Sequence, residues 1–306
     1  MKLVVLAAIL LAEIGLFAAL GQSFELEALS GLLVQAAPVL VLAFGMTLVL
    51  TTAGIDLSVG SMTALVACIM ASTGEGVSFW WTAMPLGLVA GLLLGAANGA
   101  LIAGLDMPPI IATLGTMILY RGLAFVVLRD AEKGPFPDVP GYAWLGEAFF
   151  VGCVMAILYG LGGLYLGRSR WRQELRLIGG NRSAGRYAGL AVPRRLWEVY
   201  TLVGGLAFLA AVLYTARNGS VSASALTELE LKVVVAVVLG GTKIDGGGGS
   251  LPGTFLGAFI IAVLDEGMRS PELKLWGDAH LPFQIVHLRH VVFGCMLVLG
   301  VWLGRR

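Results

Sequence analysis

SGLLVQAAPVLVLAFGMTLVLTTAGI, residues 30–55, contains no charged side chain. GVSFWWTAMPLGLVAGLLLGAANGALIAGL, residues 76–105, is equally free of charge. A soluble core has no need of apolar runs this long. A bilayer does, because about 20 apolar residues rising about 1.5 Å each cross roughly 30 Å of hydrocarbon. The rest of the chain agrees: 58% of its 306 residues are apolar and 13% charged, with a mean hydropathy of +0.89. The sequence therefore reads as an all-α polytopic integral membrane protein.

The charge gaps mark out about ten transmembrane helices, at 3–20, 31–53, 57–73, 79–105, 109–128, 148–167, 197–216, 229–242, 250–268 and 283–303. The eighth is too short to cross, with Lys232 near its start and Gly240-Gly241 at its end. That pattern predicts a broken helix packed inside protein. The first 20 residues look superficially like a signal peptide, but Glu13 interrupts them and further spans follow, so an uncleaved first helix is expected. Spans and short connections fill the length, which implies one transmembrane domain over 1–306.

One segment breaks the pattern. Residues 168–195 hold eight arginines and a single acid, Glu174. With the N-terminus inside and the spans alternating, twelve lysines and arginines fall on the inner side against five outside. Both termini and the 168–195 loop are then cytoplasmic. A formal charge of +1 gives no electrostatic case for nucleic acid. Cys68, Cys153 and Cys295 all lie in apolar stretches and read as packing residues, with no disulfide or metal spacing.

Gly87, Gly91, Gly95 and Gly99 recur every fourth residue, on one helical face where small residues let backbones approach closely. The pattern Ile-Asp-x3-Gly-Ser occurs at 55–61 and again at 244–250. Six spans separate the copies, where an inverted repeat needs an odd number, so either the segmentation is off by one span or the echo is chance. The glycine-rich 240–249 stretch lacks the Gly-Lys-Ser/Thr of a phosphate loop, since Lys243 is followed by Ile244.

Four blocks carry a family resemblance. They are GMTLVLTTAGIDLSVGS at 45–61, PPIIATLGTM at 108–117 followed by Arg121-Gly122-Leu123, IGGN at 178–181 with Ala184, Ala188, Gly189 and Leu190, and VLGGT at 238–242 with Gly249-Ser250 and Gly253-Thr254-x-x-Gly257-Ala258. Together, in this order, they resemble the permease subunits of bacterial ribose-type sugar ABC importers. The resemblance implies a type II-like ABC importer permease fold in the bacterial inner membrane. It also implies a coupling helix at Gly179, Gly180, Asn181, Ala184, Ala188, Gly189 and Leu190 that docks on a separate ATP-binding subunit. ATP and Mg would be bound by that partner and no cofactor by this chain. A second permease copy or a paralogue would complete the pathway, and a substrate-binding protein would deliver a monosaccharide or similar small polar solute.

Candidate pathway residues are Asp56, Ser58, Gly60, Thr113, Thr116 and Tyr120. Asp56 and Ser58 either form a turn lining the pathway or cap the third helix. Thr113, Thr116 and Tyr120 share one face, where they meet either a passing sugar or a neighbouring helix. Asp265 and Glu266 fall near the outer end of the ninth span, facing a vestibule or a binding protein, or lying idle at an exposed helix end. His280, His287 and His290 cluster without a companion acid or cysteine at metal-site spacing. The alternatives to an ABC permease are an ion-coupled secondary transporter, for which only Glu13 lies deep in a span, and an intramembrane enzyme built on the three histidines.

Overall fold

The computed structural model describes residues 2–19, 26–129 and 136–268, together with 291–292, 294–296 and 298. Nine of the expected spans fall on helices. These are α1 (Lys2–Ala19), α2 (Leu26–Thr51), α3 (Val59–Thr73), α4 (Ala83–Gly104) and α5 (Pro109–Leu128), then α6 (Ala148–Met155) continuing into α7 (Gly163–Arg168). The basic segment forms α8 (Arg170–Gly180) and α9 (Arg182–Tyr187), followed by α10 (Val192–Asn218), α11 (Leu229–Leu239) and α12 (Leu251–Gly267). The tenth span and the three histidines lie largely or wholly outside the described residues.

Among the described residues, five segments are long and apolar enough to cross a membrane, and α1 and α3 are shorter apolar helices. α11 has 11 residues, too few to cross, as its terminal glycines predict. One difference from the sequence reading lies between α6 and α7, where Ala156–Gly162 winds as a π-helix. Wider i→i+5 turns of this kind interrupt helices where a neighbour demands it. Here Tyr159 donates to the Leu40 carbonyl of α2 at 2.8 Å and sets its ring edge-on to Phe44.

α2 and α10 occupy the centre, and α10 packs on α4, α2 and α3. The α4–α10 contact explains the four-residue glycine rhythm. A Cβ at Gly91 would meet the Gly204 carbonyl of α10 at 2.5 Å, one at Gly95 would meet Gly204 Cα at 2.8 Å, and one at Gly99 the Trp197 Cα at 2.9 Å. Backbone thus lies on backbone, which only missing side chains permit. The outer faces of α4, α5 and the α6–α7 span expose Leu93, Ile111, Ile118, Val126, Phe149 and Leu164. In water such surfaces would be a liability, but against acyl chains they lose nothing.

Candidate functional site: the α8–α9 elbow and the polar turn beneath it

α8 and α9 meet at a bend built from local capping. Ser169 precedes α8 and accepts the Arg172 N–H on its Oγ at 3.3 Å. Asn181 starts α9, its Oδ1 accepting the Ala184 N–H at 2.9 Å, which relieves one orphan donor of the first turn. At the other end the Leu190 N–H reaches the Gly185 carbonyl and the Gly189 N–H reaches the Arg186 carbonyl, both at 3.0 Å. Gly189 has φ +79°. Paired 6→1 and 5→2 bonds around a left-handed glycine make a Schellman stop. Asn181, Ala188, Gly189 and Leu190 thus delimit a single compact helix, with Ala184 on its exposed side. Tyr187 projects from it with 93% of its surface exposed.

The inner side of this elbow is fastened to helix ends. Gly179 lies directly on the Thr51 carbonyl, the last residue of α2, and against the Gly247 backbone. The Gly247 N–H donates to that same carbonyl at 3.0 Å, and Arg172 donates to the Gly249 carbonyl at 2.8 Å. Gly180, one residue on, has open space around it. A second attachment runs to α10. Arg195 bridges Glu174 of α8 at 2.5 Å and Glu198 of α10 at 2.8 Å, and the Trp171 indole donates to Glu198 at 2.8 Å. By contrast the Arg186–Asp106 pair, 3.6 Å apart and exposed, contributes little. The second Ile-Asp-x3-Gly-Ser copy lies against the end of α2, just ahead of the first copy, with Gly246 against Ala53 and Gly249 against Thr51. Their environments differ, however: Asp56 is fully buried and Asp245 exposed.

Beneath the elbow, the α2–α3 connection holds a polar chain. Asp56 Oδ1 accepts the Ser58 N–H at 2.9 Å and the Ser58 hydroxyl at 2.6 Å. Asn98 of α4 donates to Ser58 Oγ at 2.7 Å, and Tyr120 of α5 donates to the Leu94 carbonyl at 2.9 Å, with Asn98 Oδ1 at 3.3 Å. Thr113 accepts the Leu57 N–H at 3.2 Å and sits 3.1 Å from the Ile55 carbonyl. Thr116 turns back to the Thr113 carbonyl at 3.2 Å, and Gly60 faces Glu230 and Leu226 at the start of α11. Ser58 is the N-cap residue of α3 but makes no side-chain cap bond; Asp56 bonds instead to the residue two places on, closing an Asx turn. Burial pushes the Asp56 carboxyl above its ordinary value, and its bonds from Ser58, with the Asn98 amide nearby, pull it part of the way back. Asp56 Oδ2 and the Tyr200 hydroxyl are buried without a hydrogen-bond partner.

At the opposite end of the bundle a cavity of about 540 Å³ opens between α2, α10, α11 and α12. Lys232 of α11 pairs with Asp265 of α12 at 2.9 Å, and Gln35 of α2 donates to Glu266 at 2.7 Å. None of the six pathway candidates lines this cavity. Asn98, Trp171 and Glu198 escaped the sequence reading. Asn98 carried a usable signal, being an amide inside the charge-free 76–105 stretch. A polar group at such depth needs a partner.

Comparison with known proteins agrees with this architecture. The profile of the family described as "Branched-chain amino acid transport system / permease component" matches residues 28–300. The fructose import permease protein FruG of Bifidobacterium longum is 33% identical over 300 residues, covering 93% of this chain and 84% of the relative. The autoinducer 2 import system permease protein LsrC of Klebsiella pneumoniae is 35% identical, covering 83% and 74%. The ribose import permease protein RbsC of Escherichia coli is 35% identical, covering 80% and 78%. No solved structure matches the chain. All-helical, multi-pass and similar to import permeases along most of its length, the chain belongs to the permease-component family of these transport systems and is a transport subunit rather than an enzyme.

Proposed function

We propose that the chain is the membrane-spanning permease of an ATP-driven importer for a monosaccharide or similar small polar solute. The α8–α9 elbow is where a separate ATP-binding subunit docks, through Gly180, Asn181, Ala184 and Ala188, with Gly179, Gly189 and Leu190 shaping the helix from within. Residues 168–195 and both termini face the cytoplasm, and 1–306 acts as one transmembrane unit. A second permease, identical or paralogous, completes the pathway, and an extracytoplasmic binding protein delivers the solute. ATP and Mg belong to the partner subunit, whose closure moves the elbow and, through it, the 52–58 and 240–249 turns. Asp56, Ser58 and Gly60, with Thr113, Thr116 and Tyr120 of α5, are assigned to the translocation path that this movement shifts.

The observation that carries this reading is the two-sidedness of the elbow. Its inner side is tied by Gly179, Arg172 and Arg195 to α2, the glycine turn and α10, while Ala184 and Tyr187 face outward. The names of the relatives support the solute class. The test is co-purification with the ATPase subunit in nanodiscs, with ATP hydrolysis as readout. Gly180→Arg and Ala184→Glu place bulk and charge on open surface, so the fold should persist while association is lost. Stable folding with undiminished association in both variants would refute the docking site. Uptake driven by an ion gradient without any ATPase would instead establish a secondary transporter.

A further inference from the structure

We propose that the cavity between α2, α10, α11 and α12 is a binding site, inside a single protomer, for a neutral polyhydroxylated solute. This inference rests on the importer reading and adds to it a place and a chemical class. At about 540 Å³ the cavity falls within the roughly 300–1,000 Å³ of small-molecule sites. It lies at the end of the bundle away from the elbow and is distinct from the Asp56 turn.

The lining explains the class. Two acids, Asp265 and Glu266, are balanced by two cations, Arg217 and Lys232, so the site presents no net charge to attract an ion. Each acid already has a partner, Lys232 at 2.9 Å for Asp265 and Gln35 at 2.7 Å for Glu266. A zwitterion such as an amino acid would have to compete with Lys232 for Asp265, or with Gln35 for Glu266, to place its ammonium group. Hydroxyl groups need not, because each both donates and accepts and can bridge a carboxylate and its cation without parting them. The Tyr214 ring and the side chains of Val39 and Ile261 supply apolar surface for the C–H faces of such a solute.

The test uses proteoliposomes holding the full chain with its ATPase subunit and binding protein, and D-ribose, D-fructose and leucine as probes. Glu266→Ala removes two acceptor oxygens. Losing hydrogen bonds to a charged group should raise the KM for a transported sugar roughly ten- to hundredfold, while ATPase association stays as in the wild type. The second measurement does not depend on that variant. Asn218→Cys, at the cavity mouth, is made with Cys153→Ser and Cys295→Ser, since those two cysteines are exposed and Cys68 is buried. A membrane-impermeant maleimide should label it, and the transported sugar should slow labelling several-fold.

Sugar uptake with no protection of Asn218→Cys and an unchanged KM for Glu266→Ala overturns the cavity site and leaves the importer reading standing. Uptake of leucine but neither sugar, with ATP hydrolysis intact, overturns both.

Discussion

Gly179 and Gly180 are adjacent, belong to the same helix and carry opposite expectations. An alanine Cβ at 179 would overlap the Thr51 carbonyl oxygen, with the Thr51 carbon at 2.9 Å and the Gly247 nitrogen at 2.7 Å. All three are backbone atoms, so no rotamer change relieves the contact, and α8 must lift from the end of α2. Overpacking of this kind costs about 1–3 kcal/mol. Parting Gly247 from the Thr51 carbonyl, a 3.0 Å bond, adds about 1 kcal/mol. Gly179→Ala should therefore destabilise by about 2–4 kcal/mol in all. At Gly180 nothing lies within 4 Å of the added carbon, and replacing a helical glycine is favourable by up to about 1 kcal/mol. Thermal midpoints of the purified chain in one detergent compare the two directly. Retention of the ATPase subunit on an affinity column then reports whether lifting α8 spoils the docking surface. Equal midpoints for the two variants would show that the α8–α2 contact does not hold the elbow in place, and the reasoning would fail.

Asp56→Ala strands the Ser58 N–H and hydroxyl and should cost about 2–4 kcal/mol, whereas Asp56→Asn keeps an acceptor for both and should cost far less. Because burial raises the folded-state pKa of Asp56, its contribution is full below the ordinary carboxylate range and is lost as pH rises through the raised value. Wild-type melting midpoints should accordingly fall from acid to alkaline pH by more than those of Asp56→Asn; parallel curves would contradict this. A double-mutant cycle on Arg195→Ala and Glu174→Ala should return a coupling of about 1 kcal/mol that shrinks with added salt, and additivity would remove the pair as a tie between α8 and α10. Tyr187→Ala should weaken ATPase-subunit binding by more than about 1 kcal/mol, as an aromatic anchor does, without shifting the melting midpoint. Unchanged affinity would place the docking contacts elsewhere on α9.

Spans were legible because the charge gaps obey a single constraint, the width of hydrocarbon, which acts on each segment alone. The shortness of α11 was legible for the same reason, since Lys232 and Gly240-Gly241 bound it visibly. The glycine rhythm of α4 announced a close contact but not its partner, because Gly204 completes it from more than a hundred residues away. Asp56 is the instructive ambiguity. A cap and an Asx turn use the same residues at nearly the same spacing, and what separates them is Asn98, donated by another helix. The Arg195 clasp was invisible for a related cause. In an arginine-dense stretch read for topology, each cation is one more vote, and only the fold shows which one meets two acids.

The meeting of α4 and α10 through bare backbone has a mechanical meaning. Side chains at an ordinary helix interface are springs that rock between rotamers and soak up small displacements. Where Gly91, Gly95 and Gly204 touch there are no springs, so the two helices travel as one plate. α8 is pinned to that plate by Arg195. A push on the elbow would therefore be passed along α10 toward Leu94 and Asn98, and with them Tyr120. Any give has to come from joints that keep side chains between them.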